Sequence, residues 1–211
     1  MPARPMDDAN ISGISASACD SCQAIHLFDS CRVRERWWPR HLKCLIIGES
    51  PGDPGSDYFY TPLPCIGSDP IAIRANLLSG LHAEGLIASV SLEAFREGSF
   101  VFDHAIRCTL GLKERIAKER QRATRYSSPL AHRAAYLRPL IEEAEKVWVM
   151  GHIARDAVVF LCQADYPSMK ESLNRTLTPP TQHAKFFFSR YLNRCPDKKP
   201  IFRRFSKFLQ S

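Results

Sequence analysis

Three carboxylates in a loop rich in glycine and proline are the first residues that could do chemistry. The loop runs from Gly48 to Tyr60 and carries Glu49, Asp53 and Asp57. It has neither the Gly-Lys-Ser/Thr ending of a P-loop nor the spacing G-x-G-x-x-G, which argues against a phosphate site. A metal could bind the three acids, although no His-x-His or paired acidic motif accompanies them. The residues fit best a loop that brings a carboxylate and an aromatic ring to a neutral substrate; a tight turn with exposed acids is the alternative.

A pair of cysteines near the N-terminus is a second candidate site. Cys19 and Cys22 form a Cys-x-x-Cys motif, a common ligand pair for zinc or for an iron–sulfur cluster. The chain has eight cysteines, and in a reducing compartment these serve as ligands or core residues more often than as disulfides. Cys44 and Cys162 fall on apolar patterns, which predicts that they lie in the core.

The charge of the chain favours a polyanionic partner. Lys and Arg number 29 against 22 Asp and Glu, which gives a formal net charge of +7. The excess is concentrated in two runs, Lys113–Arg125 and Lys185–Lys207. Either run alone is equally consistent with a solvated surface, but two runs in one basic chain favour nucleic acid.

Alternating apolar runs and helical patterns predict the elements that position these groups. Four short apolar runs are typical of buried parallel strands, and three segments between them have helical spacing. This alternation predicts an α/β fold, a three-layer sandwich with a central, mostly parallel four-stranded sheet flanked by helices. The predicted strands are Cys44–Gly48, Phe100–Ala105, Val147–Gly151 and Phe186–Phe188, and the predicted helices are Ile71–Gly80, Pro129–Ala144 and His152–Leu161.

Each predicted strand leads into a chemically unusual segment. These segments are GESPGDPGSD, HAIRC, GHIARDA and SRYLNR, in chain order. Ligands of parallel α/β sheets bind beyond the carboxyl ends of the strands. We therefore expect the four segments to contribute to one site.

Length and composition predict one globular domain. The chain has 211 residues, 45% of them hydrophobic, which is enough for a substantial core. We expect a loose lead-in over residues 1–18 and a single domain over residues 19–211. No apolar stretch approaches the roughly 18 residues of a membrane span, and the N-terminus lacks the order of a signal peptide. These features predict a soluble, cytoplasmic monomer with no membrane partner, associated with the nucleoid if the source is bacterial.

Four segments of the chain, in order, resemble one enzyme family. GESPG after an apolar strand resembles GEAPG, the first motif of the iron–sulfur, family-4-like branch of the uracil-DNA glycosylase superfamily. EKVWVMGHIARDAV resembles a later strand and helix of that branch. HAIRC falls where the branch has an Asn followed three residues later by Lys-Cys, and CDSC precedes the first motif at about the family's distance. The order and spacing of these segments extend across most of the chain.

The resemblance implies a DNA-repair glycosylase that hydrolyses the N-glycosidic bond of uracil in single- or double-stranded DNA and leaves an abasic site. Such an enzyme flips the base out of the stack. A carboxylate then stabilises the cationic sugar and positions the attacking water, while donors stabilise the departing base. Glu49 and Asp53 are the catalytic candidates, with Asp57 as a rival. Phe59, in the segment DYFYTP, is the favoured ring for stacking on the base.

The residues that would read uracil depart from the family pattern. The family's Asn donates to O4 and accepts from N3–H, but this chain has His104 there, preceded by Asp103. A neutral imidazole could donate to O4 or O2 and a carboxylate could accept from N3–H, so both are base-binding candidates. A buried His satisfied by the backbone is the alternative. Neighbouring strand residues point to opposite faces, so a one-residue shift would exchange the two.

The last family motif, His-Pro-Ser-Pro or a relative, is also missing. The strand KFFF is followed by Ser189, Arg190, Tyr191 and Leu192, which we predict to bind DNA. Arg190 could replace the missing His as a donor. Tyr191 and Leu192 could wedge into the base stack, as apolar side chains do in proteins that unstack DNA. The alternative is a basic helix start with a buried aromatic residue.

The resemblance also implies a [4Fe-4S] cluster bound by Cys19, Cys22, Cys108 and His132. Cys108 stands at the position of the family's third ligand. His132 stands close to the place of the fourth, which is a cysteine in the family. Zinc at the same residues and no cofactor are the alternatives, and Cys31 is a spare fourth ligand.

Two other functions remain open at this stage. A binding module of the same fold could recognise uracil or abasic DNA without turnover, because the family's Asn and last-motif His are both missing. An α/β enzyme that acts on small nucleotides could share the Gly-Pro loop alone. It would show no salt-dependent affinity for oligonucleotides.

Overall fold

Strands and helices alternate along the chain. A computed structural model describes residues 31–49, 58–61, 72–105, 136–162, 181–183 and 185–211. Its helices are α1 (Val33–Arg36), α2 (Ala72–Ala83), α3 (Leu92–Glu97), α4 (Leu137–Glu143), α5 (His152–Cys162) and α6 (Lys199–Gln210), and a 3₁₀ turn covers Leu192–Arg194. Its strands are β1 (Cys44–Gly48), β2 (Phe100–His104), β3 (Lys146–Met150), β4 (Thr181–His183) and β5 (Phe186–Ser189).

The strands form one sheet in the order β2-β1-β3-β5-β4. The first four are parallel, and β4 pairs with β5 in the antiparallel direction at the edge. The register aligns the strand ends, because Gly48 pairs with His104 and Met150 pairs with Ser189. We call this end of the sheet the carboxyl edge. It brings together the segments that follow β1, β2, β3 and β5.

Helices flank the parallel strands, which confirms the predicted three-layer α/β sandwich. The four predicted strands match β1, β2, β3 and β5 to within one residue at each end. Of the predicted helix Pro129–Ala144, the structure describes the part that begins at residue 136. The sequence did not predict the helices α1, α3 and α6 or the short strand β4. The strands read as apolar runs because every residue of β1, β2 and β5 is buried, as expected for a sheet covered on both faces.

The two faces of the sheet carry different cores, because alternate residues of a strand point to opposite faces. Helices α2, α3 and α6 pack on one face, and α4 and α5 pack on the other. We call the first core the aromatic layer; its rings include Phe59, Phe95, Phe100, Phe102, Trp148, Phe187, Phe202, Phe205 and Phe208. The second core is mainly aliphatic and includes Leu45, Ile47, Val101, Leu140, Val147, Val149 and Val158.

Two further predictions concern the core cysteines and the absence of a membrane span. Cys44 and Cys162 are buried, as predicted for core cysteines. None of the described helices combines the length and the apolar character that crossing a membrane requires.

Candidate functional site

Buried polar side chains are concentrated at the carboxyl edge. Among the described residues, the buried polar or charged side chains are those of Glu49, Arg74, Asp103, His104, Arg155 and Ser189. All except Arg74 lie at the end of a strand, directly after one, or in the first turn of α5. Burying a polar group is costly unless partners are built around it. This concentration therefore indicates a built site.

The strand order reverses between β1 and β3 at the carboxyl edge, where an open α/β sheet is expected to form a ligand crevice, and we call this position the crevice. The chain leaves β1 towards β2 on one side and later returns to β3 on the other, so the strand order reverses at β1. Ligands of open α/β sheets bind at such reversals. Glu49 directly follows β1, and Gly151 joins β3 to α5. Both residues therefore border the crevice.

The Glu49 carboxylate is held at the N-terminus of α5. Its side chain is 5% exposed, and the Ile153 amide donates to its Oε1 at 3.4 Å. Arg194, whose side chain is 65% exposed, forms an ion pair with its Oε2 at 3.2 Å. Amide groups at a helix N-terminus stabilise negative charge. The arrangement thus fixes the orientation of the Glu49 carboxyl group at the crevice.

Gly151 makes room for this carboxylate. Its φ of +89° lies in the left-handed region, which favours glycine. A Cβ at this position would lie 2.5 Å from Glu49 Oε1, closer than side chains approach. Glycine is therefore needed both for the turn from β3 into α5 and for the approach of Glu49.

Asp103 and His104 point to opposite faces of β2. The His104 ring lies on the side of the aromatic layer, with its centroid 4.9 Å from that of Phe102 and 5.7 Å from that of Tyr58. Asp103 precedes His104 and therefore points to the other face of the strand. Its Oδ1 accepts a hydrogen bond from the His104 amide at 2.8 Å. The two base-binding candidates are both buried. Asp103 shares a face with α5 and Glu49, whereas His104 shares a face with Tyr58.

The turn Tyr58–Thr61 presses three aromatic rings against the sheet. Arg74 of α2 is buried, and its Nη1 donates to two carbonyl oxygens of the turn, at 2.8 and 2.7 Å. The Phe102 amide donates to the Tyr60 hydroxyl oxygen at 2.9 Å. Burial raises the pKa of Tyr60, so its phenol stays neutral at ordinary pH. Arg74 is a positioning residue that the sequence-based interpretation did not single out.

Phe59, the predicted base-stacking ring, lies inside the aromatic layer. It is fully buried and stacks on Phe102 with 4.5 Å between ring centroids. A second contact, at 5.3 Å, is with Phe95. The ring of Tyr58 lies near that of His104, with 5.7 Å between their centroids. Stacking of Phe59 on a base stays a prediction, and Tyr58 is a second ring that lies near a base-binding candidate.

The predicted DNA-binding segment after β5 divides into buried and exposed residues. Ser189 is buried, and its Oγ accepts a hydrogen bond from Trp148 Nε1 at 2.8 Å. Leu192 is also fully buried. Arg190 is exposed and Tyr191 is half-buried. In this conformation Arg190 and Tyr191 are accessible, whereas insertion of Leu192 into a base stack would require it to leave the core.

Arg194 is a second site residue that the sequence-based interpretation did not single out. It ends the 3₁₀ turn, which is anchored by the buried Leu192 and by a hydrogen bond from Asn76 Nδ2 to Asn193 Oδ1 at 3.0 Å. This anchored turn brings the guanidinium to Glu49. The only signal in the sequence is the cation at the end of SRYLNR, because the partner lies far away in the chain.

Several predicted site residues lie outside the described residues, namely Asp53, Asp57, Cys19, Cys22, Cys108 and His132. Their roles stay predictions. Within the part of the chain that the structure describes, no group of three or more His, Cys, Asp or Glu side chains could hold a metal ion. Cys31, the spare cluster ligand, packs partly buried against the aromatic layer.

The fold and the site together define an α/β protein with a polar crevice at the strand-order reversal. Comparison with protein-family models gave no match, and comparisons with curated proteins and with solved structures gave none either. The resemblance to the uracil-DNA glycosylase superfamily therefore depends on the four sequence segments.

Proposed function

We propose that the protein is a DNA glycosylase that removes uracil from DNA by hydrolysing the N-glycosidic bond. The observation that carries this proposal is the buried Glu49 carboxylate, oriented by the N-terminus of α5 at the crevice. A fixed anion with little hydration suits a reaction in which positive charge develops on a neutral sugar. The net charge of +7 suits a polyanionic substrate.

In the proposed reaction Glu49 acts on the sugar. The bond between C1′ and N1 breaks, its electron pair leaves with uracil, and positive charge develops on the deoxyribose. Glu49 stabilises this charge and accepts a proton from the water whose oxygen bonds to C1′. The proton then passes to the departing base, directly or through solvent, which leaves neutral uracil and an abasic site. Asp53 is the other candidate for the same role.

The proposed base site is formed by β2 and the turn Tyr58–Thr61. His104 would donate to uracil O2 or O4, and a ring of the turn, Phe59 or Tyr58, would stack on the base. The short distance between the rings of Tyr58 and His104 supports this pairing. Asp103 points to the opposite face of β2, so as the acceptor for uracil N3–H it is an alternative to His104 and not its partner; its hydrogen bond with the His104 amide also fits a role in fixing the end of β2.

The proposed DNA contacts come from the segment after β5. Arg190 and Tyr191 are accessible and would contact the strand or occupy the space that the flipped base leaves. Ser189 and Leu192 would support them from below, because both are buried.

The test is excision of uracil from an oligonucleotide. Wild-type protein should produce abasic product, and Glu49→Gln should lower the rate by about 100-fold or more, as loss of a charge-stabilising group does. Glu93→Gln removes an exposed acid of α3 and is the matched control; it should leave the rate unchanged. Absence of product from folded, iron-supplemented wild type on both single- and double-stranded DNA would refute the proposal.

One observation favours a second function, recognition of uracil or abasic DNA without turnover. Arg194 already neutralises Glu49, and a neutralised acid stabilises a sugar cation poorly. A binding protein of this kind should shift uracil DNA in a gel without product, and Glu49→Gln should leave that shift intact. Cleavage by wild type that is lost in Glu49→Gln would exclude it.

We also propose a [4Fe-4S] cluster at Cys19, Cys22, Cys108 and His132. This proposal depends on the sequence resemblance, because all four residues lie outside the described part of the chain. A purified protein that is brown and contains iron would support it, and loss of the colour in Cys108→Ser would link the cluster to these ligands. Stoichiometric zinc, or no metal, would favour the alternatives.

A further inference from the structure

Helix α6 has two faces of opposite character. Its buried residues are Ile201, Phe202, Phe205 and Phe208, and its exposed cations are Lys199, Arg203, Arg204 and Lys207. The buried face packs on the sheet, where the Phe205 ring is 4.2 Å from that of Trp148. The apolar face is thus already used by the core, and the cationic face is what remains for a partner.

Three of the exposed cations form a line along α6. Lys199, Arg203 and Lys207 are spaced four residues apart and therefore lie on one side of the helix. With a rise of about 1.5 Å per residue the line is about 12 Å long. We call these three residues the α6 cation line. Within the described residues, no ion pair involves any of them.

The surroundings of the line are also suited to an anion. Its residues border a shallow open depression together with Pro200, Arg204 and Asp197. Asp197 is the acid in this depression, and its Oδ1 accepts a hydrogen bond from the Lys199 amide at 3.1 Å. The carboxylate therefore caps the start of α6, and the depression remains strongly cationic.

The line begins five residues after Arg194, a residue of the candidate site, and leads away from it. Lys199 follows Arg194, the partner of Glu49, by only a few residues. The C-terminal part of α6 lies near the starts of the strands, at the end of the sheet opposite the carboxyl edge, because Lys146 Nζ at the start of β3 lies 4.7 Å from the Phe208 ring centroid. The cations thus extend from the carboxyl edge along the outside of the aromatic layer.

We propose that the α6 cation line binds the phosphate backbone of duplex DNA beside the nucleotide whose base enters the site. The proposal rests on the proposed function for the identity of that nucleotide. Phosphates of one strand recur about every 3.4 Å of helix axis, so a line of about 12 Å faces about three of them. An anionic membrane fits less well, because an interfacial helix needs an apolar face to insert, and that of α6 is buried.

The test compares two triple variants. Lys199→Gln with Arg203→Gln and Lys207→Gln removes the line. Arg32→Gln with Arg36→Gln and Arg40→Gln removes three exposed cations from α1 and the residues that flank it, so both variants lose the same charge. Binding to a long uracil-free duplex is measured against salt, and excision is measured on a uracil trinucleotide, which has only two internucleotide phosphates and therefore cannot occupy the whole line, which faces about three.

Loss of the line should weaken duplex binding at least about tenfold and lower the slope of log K against log salt by about 2.7. The α1 variant should bind close to wild type, and both variants should cleave the trinucleotide at the wild-type rate. Equal duplex binding by the two variants would overturn the inference, as would an effect confined to anionic lipid vesicles. Line-dependent duplex binding without any uracil excision would support the inference and refute the proposed function.

Discussion

The aromatic layer and the carboxyl edge are stabilised in opposite ways. In the aromatic layer ring packs on ring, and Phe205 alone lies within 6.5 Å of four other rings, centroid to centroid. At the carboxyl edge the buried groups depend on specific polar partners. Glu49, for example, is held by one backbone amide and one guanidinium.

This difference predicts how the two regions respond to substitution. Contacts in the aromatic layer are many and individually weak, so their loss scales with the volume removed. A polar contact at the edge is lost entirely when either partner is removed. Variants of the layer should therefore change stability and leave activity per folded molecule intact. Variants of the edge should change activity more than stability.

The largest effect on stability is expected in the aromatic layer. Phe205→Ala removes a fully buried ring between α6 and the sheet and should lower the free energy of unfolding by about 3–5 kcal/mol. Phe205→Leu keeps most of the volume and should cost about 1–2 kcal/mol. Urea unfolding measures both. A marked loss of uracil excision per folded molecule in Phe205→Leu would break the proposed separation of the two regions.

A smaller loss of stability with a larger loss of activity is expected at Gly151. Alanine there is strained by its positive φ and displaces Glu49, so we expect a loss of about 1–3 kcal/mol together with most of the excision activity. Gly85 is the matched control, because its φ is +69° and a Cβ there would meet nothing within 4 Å. Gly85→Ala should cost about 1–2 kcal/mol and leave activity unchanged. Equal activity in the Gly151 and Gly85 variants would show that the position of the Glu49 side chain does not matter for activity.

The aromatic layer and the edge also differ in how far the sequence predicts them. The strands β1, β2, β3 and β5 were predictable because a fully buried strand is an uninterrupted apolar run. Helix α6 was missed, although Ile201, Phe202, Phe205 and Phe208 recur with helical spacing, because the same segment was interpreted by its cations. Strand β4 has three residues, too few for a pattern.

At the edge, the residues that the sequence predicts are those next to a strand end. Glu49 and His104 were found in this way. Arg74 and Arg194 were not predicted, because each contacts a segment that is distant in sequence. An arginine is usually exposed, so nothing in the neighbouring sequence distinguishes one that has such a contact. Which face Asp103 and His104 each occupy needed the register of β2, and which of the two reads uracil stays a prediction.

Trp148 and Ser189 connect the two regions and should give an intermediate effect. Ser189→Ala leaves the buried Trp148 Nε1–H without its acceptor, and we expect a loss of about 1–2 kcal/mol. Trp148→Phe alone removes the donor at the cost of some volume, and the double variant should be more stable than the sum of the two single losses predicts. Chemical denaturation of all four proteins tests this coupling. Strict additivity would mean that the hydrogen bond contributes nothing.

The smallest effect on stability is expected at Arg194. Its ion pair with Glu49 is 65% exposed on the arginine side, so Arg194→Gln should change the free energy of unfolding by less than about 1 kcal/mol. Because this cation contacts Glu49 and directly precedes the segment that leads into the α6 cation line, we expect it to exchange the carboxylate for a DNA phosphate. Arg194→Gln should then raise the KM for uracil DNA and leave kcat equal or higher, because Glu49 loses the charge that opposes its action on the sugar.

Arg34→Gln, which removes the exposed partner of Glu143 on the opposite layer, is the control and should change neither constant. A lower kcat with an unchanged KM would instead assign Arg194 to orienting Glu49, and the aromatic layer and the carboxyl edge would then differ in mechanism as well as in packing.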